Sequence, residues 1–487
     1  MRYGGLRVCG LMVAVGLGAC DSGGGAASSA SASGTGGIDS VSASASDGST
    51  AASESDSMTP TESDSASGTG TPTTTNPSST TADAASQGDG STSIEGTSGG
   101  AEDSSSDDGG NDPTTGGPVD NCTPDGDTVV EFSYIWVANS SQGTISKIDT
   151  QTGAELGRYI TRPDGSGNPS RTSVNRFGDV VVANRSGGIT KVFADPEDCL
   201  ESNGIPGIQT SSGPEDILPW GEEECVAWYT EIAHNNNRPV AWTNGTLNEK
   251  TCAYEGVDVF TAYLDNGVEG SLEIAKLDGT TGVITETIPM PDTPLKSHGF
   301  YGAAVDGEDN AWFSQLQGGQ LVRVNALDNS VDTWDVEGIH NGYGITVTQD
   351  GYVWICGRDT HRFDPATETW ATAQAVDPTA YVHTGGCMGD GNGVLYRGAH
   401  GNVLGVDTET LDTVVTLPVV QPGDDHVWGV AVDFDGFVWA IPRNSEHAYR
   451  LDPSMPDNPI TLTVTGLQDS YTYSDMTGFS LFSVVPG

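Results

Sequence analysis

The 487-residue chain has few basic residues: 19 lysines and arginines stand against 67 aspartates and glutamates, for a formal net charge of −48. Such a chain lacks the basic patches that nucleic-acid binding needs, so nucleic acid is excluded as a partner. Residues 1–120 hold 16 acidic and 2 basic side chains, which leaves 51 acidic and 17 basic side chains for the rest. The part after residue 120 therefore carries a formal charge of about −34.

Large apolar side chains are almost absent between Asp21 and Asp120, where Ser, Thr, Gly, Ala and Asp dominate. Such a segment cannot bury enough apolar surface to offset its ordering entropy, so the composition predicts a disordered tether over residues 20–120. Long hydrophobic runs are missing too. The apolar stretch near the N-terminus, Val8–Val15, is too short for a permanent membrane-spanning helix.

Residues 1–19 have the pattern of an export signal, in which Arg2 and Arg7 precede a short apolar run and small residues. The sequence Leu17-Gly18-Ala19-Cys20 resembles the lipobox of bacterial lipoproteins, with an ordinary secretory signal as the alternative. The resemblance implies that Cys20 carries lipid and anchors an exported protein in the cell envelope. The outer membrane or cell surface is favoured over the inner membrane. The folded domain would occupy residues 121–487.

Six of the eight cysteines follow residue 120, and no CxxC spacing among them favours a zinc site. An even number of cysteines in an exported protein favours disulfides. The predicted pairs, in decreasing order of support, are Cys199–Cys225, which flank one insertion, Cys356–Cys387, which fall in adjacent repeats, and Cys122–Cys252, which remain by elimination.

A three-strand pattern recurs after residue 132. Its clearest copy is Gly429–Asp452, GVAVDFDGFVWAIPRNSEHAYRLD, in which an Asp-Gly turn joins two apolar runs and a third run alternates apolar with polar residues. From Asn325 onwards the third strands end 39, 43 and 45 residues apart, which is the spacing of four-stranded propeller blades. The pattern predicts an all-β fold, a seven-bladed β-propeller, with six or eight blades as alternatives.

The first copy of the repeat lacks an inner strand, and Asp475–Leu481 is a strand-like segment left over at the other end. We expect this C-terminal strand to complete the N-terminal blade and close the ring without a free sheet edge. The second strands also share a central aromatic residue, which predicts packing between blades. These aromatics are Trp136, Phe260, Trp312, Trp354, Tyr396 and Trp439.

Histidines recur where a propeller would bring them to one face. Those just before the glycine that opens an inner strand are His298, His340, His383 and His426, with Arg171, Arg238 and Asp475 at equivalent positions. Those in or just after the loops between second and third strands are His361, His400 and His447. Imidazole suits acid–base chemistry and metal binding near neutral pH, and Tyr301, Tyr343 and Trp428 are candidate stacking surfaces for a ligand. The alternative is that the histidines only hydrogen-bond neighbouring loops.

Three segments, GITVTQDGYVWICG (Gly344–Gly357), GVAVDFDGFVWAIP and IDTQTG, resemble the blades of streptogramin B (virginiamycin B) lyases. The resemblance covers most of residues 132–481. It implies a histidine at the start of a blade, a glutamate after the second-strand aromatic and a magnesium ion, which together eliminate across the carbon–oxygen bond of a cyclic ester. The tetrads after Trp312, Trp354 and Trp439 supply no such glutamate, although Asp359 or Glu446 could substitute for it.

The missing carboxylate favours a binding or scaffold module over an enzyme. The leading hypothesis is a lipid-anchored propeller that binds a small molecule or protein on its histidine-rich face. A magnesium-dependent lyase and a purely structural cell-surface protein are the alternatives.

Overall fold

A computed structural model of the chain describes residues 132–484 except 249, 252, 297, 337, 339–341, 374–384, 420 and 422. The described residues belong to one compact unit. Several predictions fall outside them: the signal peptide (1–19), the tether (20–120), the lipidated Cys20, the pair Cys122–Cys252, and the positions of His340 and His383.

The described residues form seven antiparallel blades, as the repeat predicts. The strands of blades 1 to 3 are β1 (Tyr134–Asn139), β2 (Thr144–Asp149), β3 (Glu155–Ile160); β4 (Pro169–Val174), β5 (Val180–Asn184), β6 (Ile189–Val192), β7 (Val226–Thr230); and β8 (Asn236–Trp242), β11 (Asp258–Leu264), β12 (Glu273–Asp278), β13 (Ile284–Pro289), with a separate hairpin of β9 (Thr246–Asn248) and β10 (Ala253–Glu255).

Blades 4 to 7 are regular four-stranded sheets. Their strands are β14 (Phe300–Val305), β15 (Ala311–Gln315), β16 (Gly319–Val324), β17 (Val331–Val336); β18 (Gly344–Val347), β19 (Val353–Cys356), β20 (Thr360–Asp364), β21 (Thr369–Ala373); β22 (Cys387–Gly389), β23 (Val394–Ala399), β24 (Asn402–Asp407), β25 (Thr413–Pro418); and β26 (Val427–Val432), β27 (Val438–Pro442), β28 (His447–Leu451), β29 (Ile460–Thr465).

The blades are arranged in chain order around a ring. The innermost strands of blades 2 to 7 are β4, β8, β14, β18, β22 and β26, and each packs against the innermost strand of the next blade. The innermost strands all run in the same direction along the ring axis. The loops that lead into them, and the loops between second and third strands, therefore open on one face.

Each second strand is held by the turn before it. In blade 7 the Asp433 carboxylate accepts hydrogen bonds from the backbone N–H of Asp435 and Phe437 and from the Trp439 indole at 2.8 Å. Asp306 holds the Trp312 indole of blade 4 in the same way, also at 2.8 Å. A buried indole N–H needs such a partner, so these acidic turns are explained by the packing of the tryptophan. All six predicted second-strand aromatics are buried.

The C-terminal segment closes the ring, but it does so earlier in the chain than predicted. Residues 469–476 run along β1: the N–H of Tyr471 donates to the Ala138 carbonyl at 3.2 Å, and the N–H of Trp136 donates to the Met476 carbonyl at 2.9 Å. Thr477 Oγ1 then bonds the Val432 carbonyl of blade 7 at 2.7 Å. The first and last blades are thereby joined without a free inner edge.

The prediction of a strand over Asp475–Leu481 is wrong. The Asp475 carboxylate accepts hydrogen bonds from the N–H groups of Thr477 and Gly478, which turns the chain, and Gly478 has a φ of +83°. A short helix, α1 (Phe479–Val484), follows and buries Leu481 and Val484. These two side chains lie three residues apart, on one face of the helix. Six residues are too few to show that period in the sequence.

Two of the predicted disulfides are present. Cys199–Cys225 closes the long insertion between β6 and β7, which also holds a 3₁₀ turn at Pro196–Asp198. Cys356–Cys387 joins the second strand of blade 5 to the inner strand of blade 6. No helix in the described part of the chain is long and apolar enough to cross a membrane.

Candidate functional site

Aromatic side chains from several blades meet at one end of the ring axis. Tyr301 and Trp428 are the second residues of β14 and β26, and Tyr343 directly precedes β18. Tyr471 and Tyr473 come from the closing segment. The Tyr343 and Trp428 rings lie 4.5 Å apart, and the Tyr301 and Tyr473 rings are stacked at 5.7 Å. All five side chains are buried, so together with Leu316 they form a packed aromatic floor.

Arg171 lies within this floor and is completely buried. Its guanidinium carbon is 2.9 Å from the centre of the Tyr473 ring, Nε donates to the Tyr301 carbonyl at 2.9 Å, and Nη2 donates to the Tyr343 carbonyl at 3.2 Å. Burial lowers the pKa of this guanidinium to about 9. Nη1 of Arg171 and the Tyr473 hydroxyl have no hydrogen-bond partner among the described residues. These two groups of the floor can therefore still donate hydrogen bonds.

Three further arginines lie over the edge of the floor. The Arg443 guanidinium carbon is 4.2 Å from the Trp428 ring centre, that of Arg185 is 4.4 Å from Tyr471, and that of Arg238 is 5.1 Å from Tyr301. Arg443 is exposed and the other two are half-buried. We call these three arginines, Arg171 and the five aromatic residues of the floor the arginine–aromatic mouth.

The charge of the mouth is opposite to that of the rest of the domain. It holds 4 of the 17 basic side chains that follow residue 120, in a region with 51 acidic ones. Within the described part of the chain, none of the four forms an ion pair with Asp or Glu, whereas six other basic residues do. Arginines without carboxylate partners beside aromatic faces attract anions and planar groups.

His298 is the described histidine that lies at the mouth. Its ring is stacked on Tyr301 with 6.0 Å between centroids. Burial and the nearby guanidiniums of Arg238 and Arg185 lower the pKa of His298 to about 4, so the imidazole is neutral at physiological pH. It can donate or accept a hydrogen bond there, and it adds no charge.

The other predicted histidines that the structure describes do not join His298, although the His426 carbonyl accepts a hydrogen bond from the N–H of Arg443 at 2.8 Å. His361 is buried within β20, where its Nδ1 is 3.0 Å from Thr372 Oγ1. His447 begins β28, and its Nδ1 is 2.8 Å from the Asp424 carboxylate. His400 and His426 lie together at the rim of blades 6 and 7. The described imidazoles therefore do not form one ring around the axis.

Asp475 also lies away from the mouth. Its side chain lines a small internal cavity further along the axis, beside Ser173 and Trp242, and helix α1 covers that cavity through Ser480 and Leu481. Asp475 was predicted to be equivalent to Arg171 and Arg238, and it does stand at the same point of the repeat. It lies at a different depth along the channel, because the closing segment pairs several residues earlier in the chain than predicted.

Several residues of this face were not predicted. Arg185 directly follows β5 and Arg443 directly follows β27, so both stand at the end of a second strand. That repetition is visible in the sequence and could have identified them. Tyr471 and Tyr473 depend on the position of the closing segment, which the sequence pattern misplaces. His234, in the loop between β7 and β8, stacks on Tyr263 at 4.8 Å.

Comparisons with known proteins find similar solved structures only. No family model matches the chain, and no curated protein matches it. Solved structures that resemble it include a streptogramin B lyase (15% identity, TM-score 0.46, 64% of this chain and 87% of that one) and the virginiamycin B lyase of Staphylococcus aureus (13%, 0.46, 65% and 90%). A functionally unknown protein of Desulfotomaculum acetoxidans is similar at 13% identity and a TM-score of 0.48, over 69% of this chain and 96% of that one.

Proposed function

We propose that the protein is a binding module whose arginine–aromatic mouth takes an anionic ligand with a planar or apolar part. The observation that supports this proposal is the set of four arginines without a described carboxylate partner in a region of about −34 formal charge. Elsewhere in the described domain, six of the other 13 basic side chains pair with an acid and seven do not, so what distinguishes these four is that they converge on one aromatic cluster. Four guanidiniums gathered on one aromatic cluster without a carboxylate suit an anionic ligand.

The parts of the mouth have different roles in this proposal. Arg238 and Arg443 present guanidinium donors, which bind carboxylates and phosphates through two parallel hydrogen bonds. The aromatic floor packs against the planar or apolar part of the ligand, and Arg171 fixes the positions of its rings. Neutral His298 supplies a hydrogen bond beside Arg238. At physiological salt the Debye length is about 8 Å, so the rim arginines act on a bound anion more strongly than the distant carboxylates do.

Phenyl phosphate is a suitable probe because it joins a dianion to one aromatic ring. By isothermal titration calorimetry on the full chain, we expect saturable binding that Arg238→Ala and Arg443→Ala each weaken by about 10- to 100-fold, the usual effect of losing a charge-assisted hydrogen bond. Arg323→Ala is the matched control, since Arg323 pairs with Asp332 on the outer strands. Benzyl alcohol, which lacks the anion, should not bind measurably. Equal affinities for all four proteins would contradict the proposal.

The fold alone does not assign a reaction to the chain. An elimination like that of the lyases would need a carboxylate beside a histidine at the mouth, and His298 forms no ion pair with a described Asp or Glu. Incubation of the full chain with a streptogramin B and Mg²⁺ separates the two hypotheses. A binding module leaves the cyclic ester intact. Ring opening that is lost in His298→Ala would instead identify an enzyme.

We further propose that the chain is exported and lipidated at Cys20, with residues 20–120 connecting the anchor to the propeller. The lipobox-like Leu17-Gly18-Ala19-Cys20 sequence supports this. Expression in a bacterium with radioactive palmitate should label the wild-type protein in the membrane fraction. Cys20→Ser should lose the label, while Cys9→Ser, which changes a cysteine inside the signal, should keep it.

A further inference from the structure

A second group of ligating side chains lies beside the mouth, where the N–H of Arg443 donates to the His426 carbonyl at 2.8 Å. His400, Asp425 and His426 each offer one nitrogen or oxygen atom, and these three atoms lie within 4.8 Å of one another. We propose that they bind a divalent transition metal ion, with Zn²⁺ as the representative case. The inference does not depend on the proposed anion-binding function.

The backbone holds the two histidines side by side. His400 lies in the turn between β23 and β24 of blade 6, and His426 directly precedes β26 of blade 7. They face each other in a single antiparallel β-bridge, and their rings are 5.1 Å apart. Directly opposed residues of an antiparallel pair have neighbouring Cβ atoms, so both imidazoles start close to one point without any rearrangement of the main chain.

Asp425 completes the group from the same loop as His426. Its carboxylate oxygens lie 3.6 Å from His400 Nε2 and 3.7 Å from His426 Nε2. With metal–ligand bonds of about 2.0–2.1 Å, the donors of a tetrahedral site are separated by roughly 3.3–3.4 Å. The two measured distances reach different carboxylate oxygens and exceed that value by a few tenths of an ångström, and the three donor atoms lie within 4.8 Å of one another, so side-chain rotations would have to bring them together around an ion.

The loop that carries Asp425 is anchored by its neighbour. Asp424 is buried. Its carboxylate accepts a hydrogen bond from the Tyr449 hydroxyl at 2.6 Å and lies 2.8 Å from His447 Nδ1. The Asp425 carbonyl accepts a hydrogen bond from the N–H of Gly401 at 2.7 Å, which ties this loop to the turn that holds His400. The site is thus supported on both sides before a metal arrives.

The ligand set indicates which metals fit. Two imidazoles and one carboxylate suit Zn²⁺, Cu²⁺, Co²⁺ or Ni²⁺, whereas Mg²⁺ prefers oxygen ligands in an octahedral arrangement. Three protein ligands leave a fourth tetrahedral position for water or another donor. Because His400 belongs to blade 6 and His426 to blade 7, a bound ion would link two adjacent blades and stabilise the folded ring.

Zinc binding to the full chain, purified without a polyhistidine tag, tests the proposal by competition with a chromophoric chelator. We expect His400→Ala and His426→Ala each to weaken one Zn²⁺ site by at least about 100-fold, and Asp425→Asn by about 10-fold. His234→Ala is the control, because His234 also faces a single carboxylate, that of Asp265 at 3.3 Å, but belongs to no group of three. Zn²⁺ should raise the melting temperature of the wild type and of His234→Ala only.

Zinc affinity that survives the double variant His400→Ala/His426→Ala would overturn the proposal and place the site elsewhere. Absence of saturable Zn²⁺, Cu²⁺ and Co²⁺ binding in the wild type would overturn it as well. A Zn²⁺ affinity no greater than that for Mg²⁺ would show that only the negative surface attracts the ion, and this too would contradict a built site.

Discussion

At the scale of single residues, Arg171 is a predicted site residue whose contacts mainly support the fold. It was predicted as a ligand-binding residue at the start of an inner strand, and it does lie at the mouth. Its guanidinium is nevertheless sealed beneath aromatic rings and donates to two main-chain carbonyls from other blades. It therefore joins blade 2 to blades 4 and 5.

Replacing Arg171 should destabilise the fold. Arg171→Ala leaves a cavity among aromatic rings, and it leaves two buried carbonyls without their donor. These losses outweigh the gain from no longer burying a charged guanidinium. We expect the free energy of unfolding to fall by about 3 kcal/mol. Urea denaturation measures this. The control Arg323→Ala, which removes an exposed ion pair, should cost no more than about 1 kcal/mol. Similar values for both variants would show that Arg171 does not hold the blades together.

The pKa of His298 reports the electrostatics of the mouth. Burial is the main cause of its low pKa, and the guanidinium of Arg238 is the next. Arg238→Ala should therefore raise the pKa of His298 from about 4 towards its ordinary value of 6.5, without reaching it, because the burial remains. Histidine ¹H–¹³C NMR titration measures this shift, with the resonance assigned by His298→Gln. An unchanged pKa would mean that Arg238 does not act on the imidazole.

Sequence reasoning found part of this site because aromatic and basic residues recur at the same point of the repeat. Tyr301, Tyr343 and Trp428 were predicted to offer stacking surfaces, and the structure does bring them together with Arg171. The sequence could not show that these rings close over the axis and bury Arg171. Burial depends on how far side chains from different blades reach, and no local pattern records that distance.

At the scale of elements, the repeat predicts the strands well because hydrophobic alternation and Asp-Gly turns are local signals. The closing segment is harder to place, because it pairs with a strand more than 300 residues away in the sequence. Asp475 and Gly478 turn the chain before α1 and end its pairing with β1.

We expect Asp475 to make the stability of the closed ring depend on pH. Burial raises its pKa from 3.8 to about 6, despite the hydrogen bonds from Gly478 and Thr477. The folded state then binds more protons than the unfolded state between about pH 4 and 6, so this group's contribution to stability falls as pH rises through that range and stays low above it. Asp475→Asn should remove this contribution. The variant should gain about 1–3 kcal/mol relative to wild type between pH 4 and pH 7.

Urea denaturation at several pH values measures that difference. Asp332→Asn is the control for the change in net charge, because Asp332 is an exposed carboxylate paired with Arg323. A constant difference between Asp475→Asn and wild type across pH 4–7 would contradict the argument and leave the acidic surface as the source of any pH dependence.

At the scale of the whole domain, the described residues form a closed ring of strongly negative formal charge with four arginines at the mouth. The composition establishes the overall charge. It cannot reveal that four arginines from different blades converge, because only the ring closure brings blades 2, 3 and 7 to one axis. This local reversal of charge is the basis of the proposed binding function.

A crystal structure of the full chain grown with phenyl phosphate tests that function most directly. We expect the phosphate within hydrogen-bond distance of Arg238 or Arg443, with its phenyl ring over the floor formed by Tyr301, Tyr343 and Trp428. Phenyl phosphate bound only elsewhere, or an empty mouth at a concentration that saturates binding in solution, would contradict it.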